Sequence, residues 1–357
     1  MPKKILYITN SISGSGGLER VVCLKASYFA DIYKYEVHII TLSNETSKPF
    51  YQLSSKITIH NLNVSGNILK FYLNYYTKIN KTILDISPDT IFVADDGLKG
   101  VLFSIIFRTK SKIIYERHTT KAIQGNGIKS KFINFLMNFG ANEFDKFVVL
   151  THSNKNDWPN IKNLVVITNP LPFSPQLTGD IQTRKRIISV GSISHIKGHD
   201  ILIKAWHKIH TQFPAYSLHI YGEKKDNYKS ISQYIEDNRL NNCVFVHNPT
   251  SDIKQKYLES AICILPSRVE GFGMVIIEAM ACAVPCIATN CEGPKDIISD
   301  NVNGFIINKD DSDAIANKIM ELLTNPNLLE IISQEAYNSS LKYELSSIMK
   351  QWDNLTK

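Results

Sequence analysis

Short apolar runs alternate with longer amphipathic stretches, and this alternation restricts the 357-residue chain more than any other feature. "KILYIT" (4–9), "EVHIITL" (36–42), "ITIHNL" (57–62), "TIFVAD" (90–95), "KIIYER" (112–117) and "KFVVLT" (146–151) read as strands buried on both faces. Segments long enough for helices separate them, which is the βαβ rhythm of a covered parallel sheet. "TNPLPFSPQLTGD" (168–180), with three prolines and little apolar periodicity, interrupts the rhythm as a linker. It then restarts with strands in "RIISVGS" (186–192), "SLHIYGE" (217–223), "CVFVHN" (243–248), "AICILPS" (261–267), "PCIATN" (285–290) and "NGFIIN" (303–308). Helices fit 198–211, 228–238, 251–260, 273–282, 311–323, 326–341 and 343–356. The pattern predicts an α/β chain of two doubly wound, Rossmann-like domains, 1–170 and 171–342. Open sheets of this kind bind ligands at the carboxyl ends of their strands, and two facing each other would form a cleft.

Composition narrows the function classes. Nothing approaches 18 consecutive apolar residues, so no membrane-spanning helix is expected. The opening "MPKKILYITNS" has too short an apolar run for a signal peptide. Cys23, Cys243, Cys263, Cys282, Cys286 and Cys291 form no CxxC pair, and several sit in apolar runs. They are expected to be structural thiols of a cytoplasmic protein. Net charge is +7 but uneven: residues 1–170 hold 21 Lys or Arg against 12 Asp or Glu, residues 171–357 hold 19 against 21. Within 99–131 there are eight basic residues and one acid, Glu116. The asymmetry suits phosphates, an anionic lipid surface or nucleic acid, or else a solvated basic face. No aromatic-and-basic RNA motif or helix-turn-helix pattern accompanies it, so nucleic acid is not expected as a partner.

Three stretches carry chemistry. "TNSISGSGGLERVV" (9–22) follows the first strand and opens a helix. Gly14, Gly16 and Gly17 let backbone approach a ligand closely, and a helix start near Gly17 presents free N–H groups to an anion. The glycines are not spaced as GxGxxG, which argues against a nicotinamide or flavin enzyme. In "VGSISHIKGHDILIKAW" (190–206), Lys197 lies just before a helix start at Gly198, where it meets a phosphate or stays an ordinary surface lysine. In "SRVEGFGMVIIEAM" (267–280), Glu270 falls in a loop and Glu278 one to two turns into a helix that is apolar on nearly every side. A buried carboxylate needs partners, and a vicinal diol, as in a sugar or ribose, offers two hydrogen bonds. The plainer alternative is an amphipathic helix with Glu278 solvated.

Taken together these stretches resemble retaining glycosyltransferases of family 4. "EGFGMVIIE" is similar to the family's E-x7-E signature. The likeness spans nearly the whole chain, through "GSGGLERVV", "YERHT" (115–119), "NP" (169–170), "VGSISHIKG", "YLESAICILPSRVEGFGMVIIEAMACAVPCIATNCEGPKDII" and "NGFII". It looks most like the bacterial enzymes of capsule, exopolysaccharide and O-antigen assembly. The resemblance implies the GT-B fold, with a nucleotide-sugar donor on the C-terminal domain and an acceptor on the N-terminal one. It also implies retention of anomeric configuration without a metal cofactor. By the same resemblance Glu278 holds the ribose hydroxyls, Glu270 and His118 face the transferred sugar, and Phe272, Gly273 and Met274 offer backbone amides. Lys197 and the Gly16–Gly17 amides meet the diphosphate, Glu19 and Arg20 border the cleft, and the last helix, 343–357, returns to the N-terminal domain through Trp352.

One position departs from the family pattern. The turn usually reads G-R-x-x-x-x-K-G, and here Ser192 stands in the arginine's place. Losing that charged hydrogen bond costs about 1.5–3 kcal/mol, and Arg268 is the candidate to replace it. Asp95–Asp96 lacks the spacing of a DxD metal motif and is expected at the cleft rim or capping a helix at Gly97. Retention is expected through front-face attack, with the leaving phosphate oxygen taking the acceptor's proton. A UDP-sugar donor is preferred, with GDP-mannose as the alternative, and a lipid-linked saccharide is the expected acceptor. The basic, partly apolar face of the first domain would dock on the inner, anionic leaflet as a peripheral protein. A sugar-nucleotide epimerase and a non-catalytic binding module are the competing classes.

Overall fold

The computed structural model describes residues 2–42, 48–64, 66–107, 109–119, 128–177 and 179–357. The chain divides into two units, Met1–Thr168 with Ile348–Lys357, and Asn169–Ser347.

The first unit is built on a parallel sheet of β1 (Lys4–Thr9), β2 (Glu36–Thr41), β3 (Thr58–Asn61), β4 (Thr90–Ala94), β5 (Lys112–Arg117), β6 (Lys146–Val149) and β7 (Leu164–Val166). The strand order is β3-β2-β1-β4-β5-β6-β7. Successive residues of β1 serve opposite faces. Leu6 and Ile8 join a core with Tyr75, Ile79 and Ile83 of the helix Ile68–Ile86. Tyr7 instead stacks on Phe92, which meets Phe29 of the helix Gly17–Asp31 and Trp352 of the helix Leu345–Thr356. Both faces are therefore covered, which is why these strands read as unbroken apolar runs. β7 went unseen in the sequence because three half-buried residues leave no periodic signal.

The second unit repeats the winding with β8 (Arg186–Val190), β9 (Ser217–Tyr221), β10 (Val244–His247), β11 (Ser260–Leu265), β12 (Cys286–Thr289) and β13 (Gly304–Ile307). Their order is β10-β9-β8-β11-β12-β13. The helix His199–Ile209 buries Leu202, Ile203 and Trp206 against one face, and Met274–Ala281 packs on the other beside β11 and β12. In each sheet the winding reverses once, between β1 and β4 and between β8 and β11. The loops leaving those four strands are where such folds receive ligands.

Between β4 and β5 the segment long enough for one helix forms two single turns instead, Leu98–Val101 and Phe103–Ile106. Gly100 lies so close to Asp95 that a Cβ would stand 2.2 Å from its carbonyl oxygen. Phe103 and Phe107 are then buried against each other. Arg108 and residues 120–127 of the basic segment lie outside the described residues. The six cysteines form no disulfide, and five of them are buried. Among the described residues no helix is long and apolar enough to cross a membrane.

Candidate active site

In the second unit the turn after β8 and the loop after β11 are locked together. Gly198 adopts φ +67°, and a Cβ there would lie 2.0 Å from the Pro266 carbonyl oxygen, so only glycine lets the turn sit on the strand end. Arg268 N–H donates to the Ile196 carbonyl at 2.8 Å. This contact brings Lys197 Nζ to 2.7 Å from Glu270 Oε2, to which Ser267 Oγ also donates at 3.3 Å. The loop rests in turn on the helix Glu292–Ile297. At Gly293 a Cβ would meet the Phe272 carbonyl oxygen at 2.3 Å. Phe272 is buried with its ring edge on Tyr343, and Gly273 (φ +96°) caps the helix opened by Met274. The first amides of that helix have no partner within it.

Arg268 is already occupied. Its guanidinium donates to both carboxylate oxygens of Asp200, at 3.0 and 2.9 Å, and pairs with Asp310 at 2.7 Å. The Asp200 hydrogen bond leads the effects that hold Arg268 more firmly protonated than usual. Ser192 Oγ lies 3.2 Å from Ser194 Oγ in the same turn. The two carboxylates match Arg268, so Lys197 is the cation the turn itself projects at its end.

Glu278 is 1% exposed, and its Oε2 accepts from Tyr257 Oη at 3.2 Å. Tyr257, in "KYLES", is fully buried and went unnoticed in the sequence. A carboxylate this deep is sustained by hydrogen bonds rather than by water. Glu270 and Glu278 thus differ in environment: one is ion-paired at a loop, the other sits in the core of the unit.

In the first unit the glycine loop after β1 runs into the helix Gly17–Asp31. None of Gly14, Gly16 and Gly17 adopts a left-handed φ. Gly14 and Gly16 instead leave room for Glu19. Its carboxylate oxygens lie 2.8 and 2.5 Å from where their Cβ atoms would be, at the positive end of the helix dipole. Arg20 stacks on Tyr51 at 5.2 Å, and Tyr51 Oη donates to the Ser15 carbonyl at 2.7 Å, bracing the loop. After β4, Asp95 accepts from Gly97 N–H at 2.8 Å, closing a tight turn just ahead of the helix Leu98–Val101 rather than capping it. Asp96 accepts from the His118 and Thr119 amides at 2.9 and 3.3 Å, fixing the end of β5.

His118 continues inward. Its Nε2 lies 3.1 Å from Glu116 Oε2, and Glu116 Oε1 lies 2.7 Å from Lys25 Nζ. Lys25 and Glu116 are at most 1% exposed, and the Lys25 ammonium faces the Trp352 ring 3.1 Å from its centroid. Burial brings the lysine down to about 8 against the opposing pull of Glu116. Burial alone would raise Glu116, but Lys25 and His118 outweigh it and hold the carboxyl below its ordinary value.

Two family models match this chain, "Glycosyl transferases group 1" over residues 175–339 and "Glycosyl transferase 4-like" over residues 4–151, one on each unit. The chain is a GT-B glycosyltransferase of family 4. An uncharacterized glycosyltransferase of Haemophilus influenzae is 28% identical over 99% of both chains. The amylovoran biosynthesis glycosyltransferase AmsD of Erwinia amylovora is 26% identical over 99% of both. Among solved structures, a mutant of Staphylococcus aureus TarM in complex with Fondaparinux, alpha-GlcNAc-glycerol and UDP matches with TM-score 0.84 at 17% identity, covering 99% of this chain and 100% of that one.

In this glycosyltransferase the structure gathers Ser192, Lys197, Arg268, Glu270, Phe272, Gly273 and Met274 at the β8 and β11 strand ends. Glu278 instead faces Tyr257 inside the same unit. Gly16, Gly17, Glu19 and Arg20 share one loop of the first unit, and His118 stands at another strand end. Among the described residues no group of three or more His, Cys, Asp or Glu side chains is arranged to hold a metal. Lys25, Tyr257 and Asp200 carry no motif, so the sequence did not expose them. The only signal was indirect, in Glu116 as the one acid of a basic segment.

His199, beside Lys197, adds a pH dependence. It is 1% exposed, and burial first, then Lys197, takes it down from 6.5 to about 3. Between those values the unfolded chain binds a proton that the folded one refuses. Stability is therefore intact above pH 6.5 and is lost as pH falls, by up to about 1.4 kcal/mol per pH unit. Between pH 7 and pH 4 the melting temperature should fall further in wild type than in His199→Leu. Parallel curves would remove His199 as the cause.

Proposed function

We propose that this glycosyltransferase moves a hexosyl or N-acetylhexosaminyl group, with retention, from a UDP-sugar to a hydroxyl of a lipid-linked saccharide in bacterial surface polysaccharide assembly. The Lys197–Glu270 pair, on two interlocked loops at the β8 and β11 strand ends, carries this reading. In it Lys197 leaves Glu270 to meet the departing diphosphate and so replaces a metal as its counter-charge, while Glu270 turns to the sugar. The Met274–Ala281 helix start adds hydrogen bonds to the phosphates or sugar hydroxyls. Glu278 takes the ribose, exchanging its Tyr257 bond for a diol. The acceptor hydroxyl attacks on the face that the diphosphate leaves, and the leaving phosphate oxygen takes its proton. A trapped covalent glycosyl-enzyme would overturn that route. AmsD, named for amylovoran biosynthesis, and TarM, crystallised with UDP, support the pathway and the donor.

The test is a donor screen by melting temperature with UDP- and GDP-sugars on wild type and Glu278→Gln. Glutamine is chosen over alanine because it keeps an acceptor for the buried Tyr257 hydroxyl and nearly the same volume. A ligand at a hundredfold excess over its Kd stabilises by about 2.7 kcal/mol. UDP-sugars are expected to raise the wild-type melting temperature and to do so much less in Glu278→Gln, whose own melting is little changed. An undiminished shift in the variant would remove Glu278 from the ribose.

The lipid-linked acceptor places the enzyme on an anionic membrane face. In support, Phe135 and Phe139 of the helix Ile128–Ala141 and Leu73 of Ile68–Ile86 are more than half exposed, in a unit with an excess of basic residues. Co-sedimentation with phosphatidylglycerol vesicles at low salt, lost in Phe135→Ser/Phe139→Ser, is the expected result. Indifference to the vesicles would sink the membrane assignment.

A further inference from the structure

The reading of His118 as a group facing the transferred sugar says nothing of the two charges behind it. A Lys–Glu pair shut away from water is costly to build, and a well-packed apolar pair would serve the core at least as well. This pair lies on elements distant in sequence, Lys25 in the helix Gly17–Asp31 and Glu116 in β5, and it ends on His118. An ionised carboxylate only accepts hydrogen bonds. With Lys25 fixing Oε1, Glu116 Oε2 accepts from His118 Nε2, so the ring proton belongs on Nε2 and the ring's other nitrogen is Nδ1. Asp96 holds the backbone of the same residue, so both the ring and the main chain of His118 are fixed.

We propose that Lys25 and Glu116 are positioning residues for His118, holding its Nε2–H inward so that Nδ1 is the nitrogen presented to substrate. A neutral ring so held accepts from a sugar hydroxyl and does not donate to a phosphate. Tyr7, whose ring lies 5.9 Å from Lys25 Nζ, and Asp96, itself paired with Arg117, also lie against this assembly. Tyr7 is raised well above its ordinary value by burial, with Glu116 adding to it, so it stays a neutral phenol.

This inference rests on the assignment of His118 to the sugar, and the test separates the two. Long-range proton–nitrogen NMR of the histidine-labelled enzyme, in mildly alkaline buffer, reads the tautomer. His118→Asn identifies the signals. Wild type is expected to carry the proton on Nε2. The double variant Lys25→Met/Glu116→Gln is used because each single change strands a buried partner. It is expected to lose the tautomer preference, and kcat is expected to fall at least tenfold with little change in KM for donor. Adding His118→Asn to the double variant is expected to cost nothing more. A proton on Nδ1 in wild type, or a tautomer unmoved in the double variant, overturns the proposal. If the tautomer behaves as expected but His118→Asn leaves transfer intact, the positioning stands and the placement of His118 at the sugar falls.

Discussion

Lys197→Met is expected to slow transfer by about 10²–10³-fold, the usual cost of removing one preorganised group from a developing negative charge. Donor affinity should drop about tenfold to a hundredfold, as a charged hydrogen bond is worth about 1.5–3 kcal/mol. The effect is large here because the turn has a serine, Ser192, where a second cation would stand, and Arg268 is matched by Asp200 and Asp310. Lys197→Arg keeps the charge and should recover part of the affinity. Glu270→Gln makes the opposite prediction for binding. It frees Lys197 from its 2.7 Å ion pair, so UDP should bind more tightly while turnover falls. Isothermal titration with UDP and initial-rate kinetics decide both. Lys197→Met within threefold of wild type in both measurements would end the diphosphate assignment.

Lys25→Ala is expected to be among the most destabilising single truncations in the first unit. It leaves the Glu116 carboxylate buried without its cation, at about 3–5 kcal/mol. At roughly 2–4 °C per kcal/mol for a unit of this size, melting should fall by about 6–20 °C. Lys25→Met/Glu116→Gln, which removes both charges and keeps the volume, should recover most of that loss. Calorimetry of the three proteins measures it. A Lys25→Ala protein that melts within about 2 °C of wild type would mean that water reaches the pair.

Most of the fold was legible because its signals are local. Strands covered on both faces become continuous apolar runs, and all twelve of those read from the sequence are present, along with the break before β8. β7 escaped because a short edge strand is specified by its neighbour's hydrogen bonds rather than by its own residues. The candidate site was legible where chemistry is concentrated in a loop: Lys197 and Glu270, 73 residues apart in sequence, do meet. It was illegible where partners are chosen by packing. Nothing in "LERVVCLKASYF" marks Lys25 as the mate of Glu116, because a lysine in a helix is usually solvated. Arg268 shows the converse: a charge at the right sequence position is of little use to a ligand once two aspartates, set on remote elements, have engaged it.

The first unit is discontinuous, completed by Ile348–Lys357 after the whole second unit has been made. This orders events on the ribosome. At synthesis rates of about 5–20 residues per second, residues 1–168 wait roughly 10–40 s for Trp352, the ring that roofs the Lys25 ammonium. The second unit has all its strands before then and is free to close first, whereas the first is held with its Lys25–Glu116 pair still open on that side. The nascent enzyme thus matures from its second unit backward, and truncations that remove only the last dozen residues should be felt at the opposite end of the sequence.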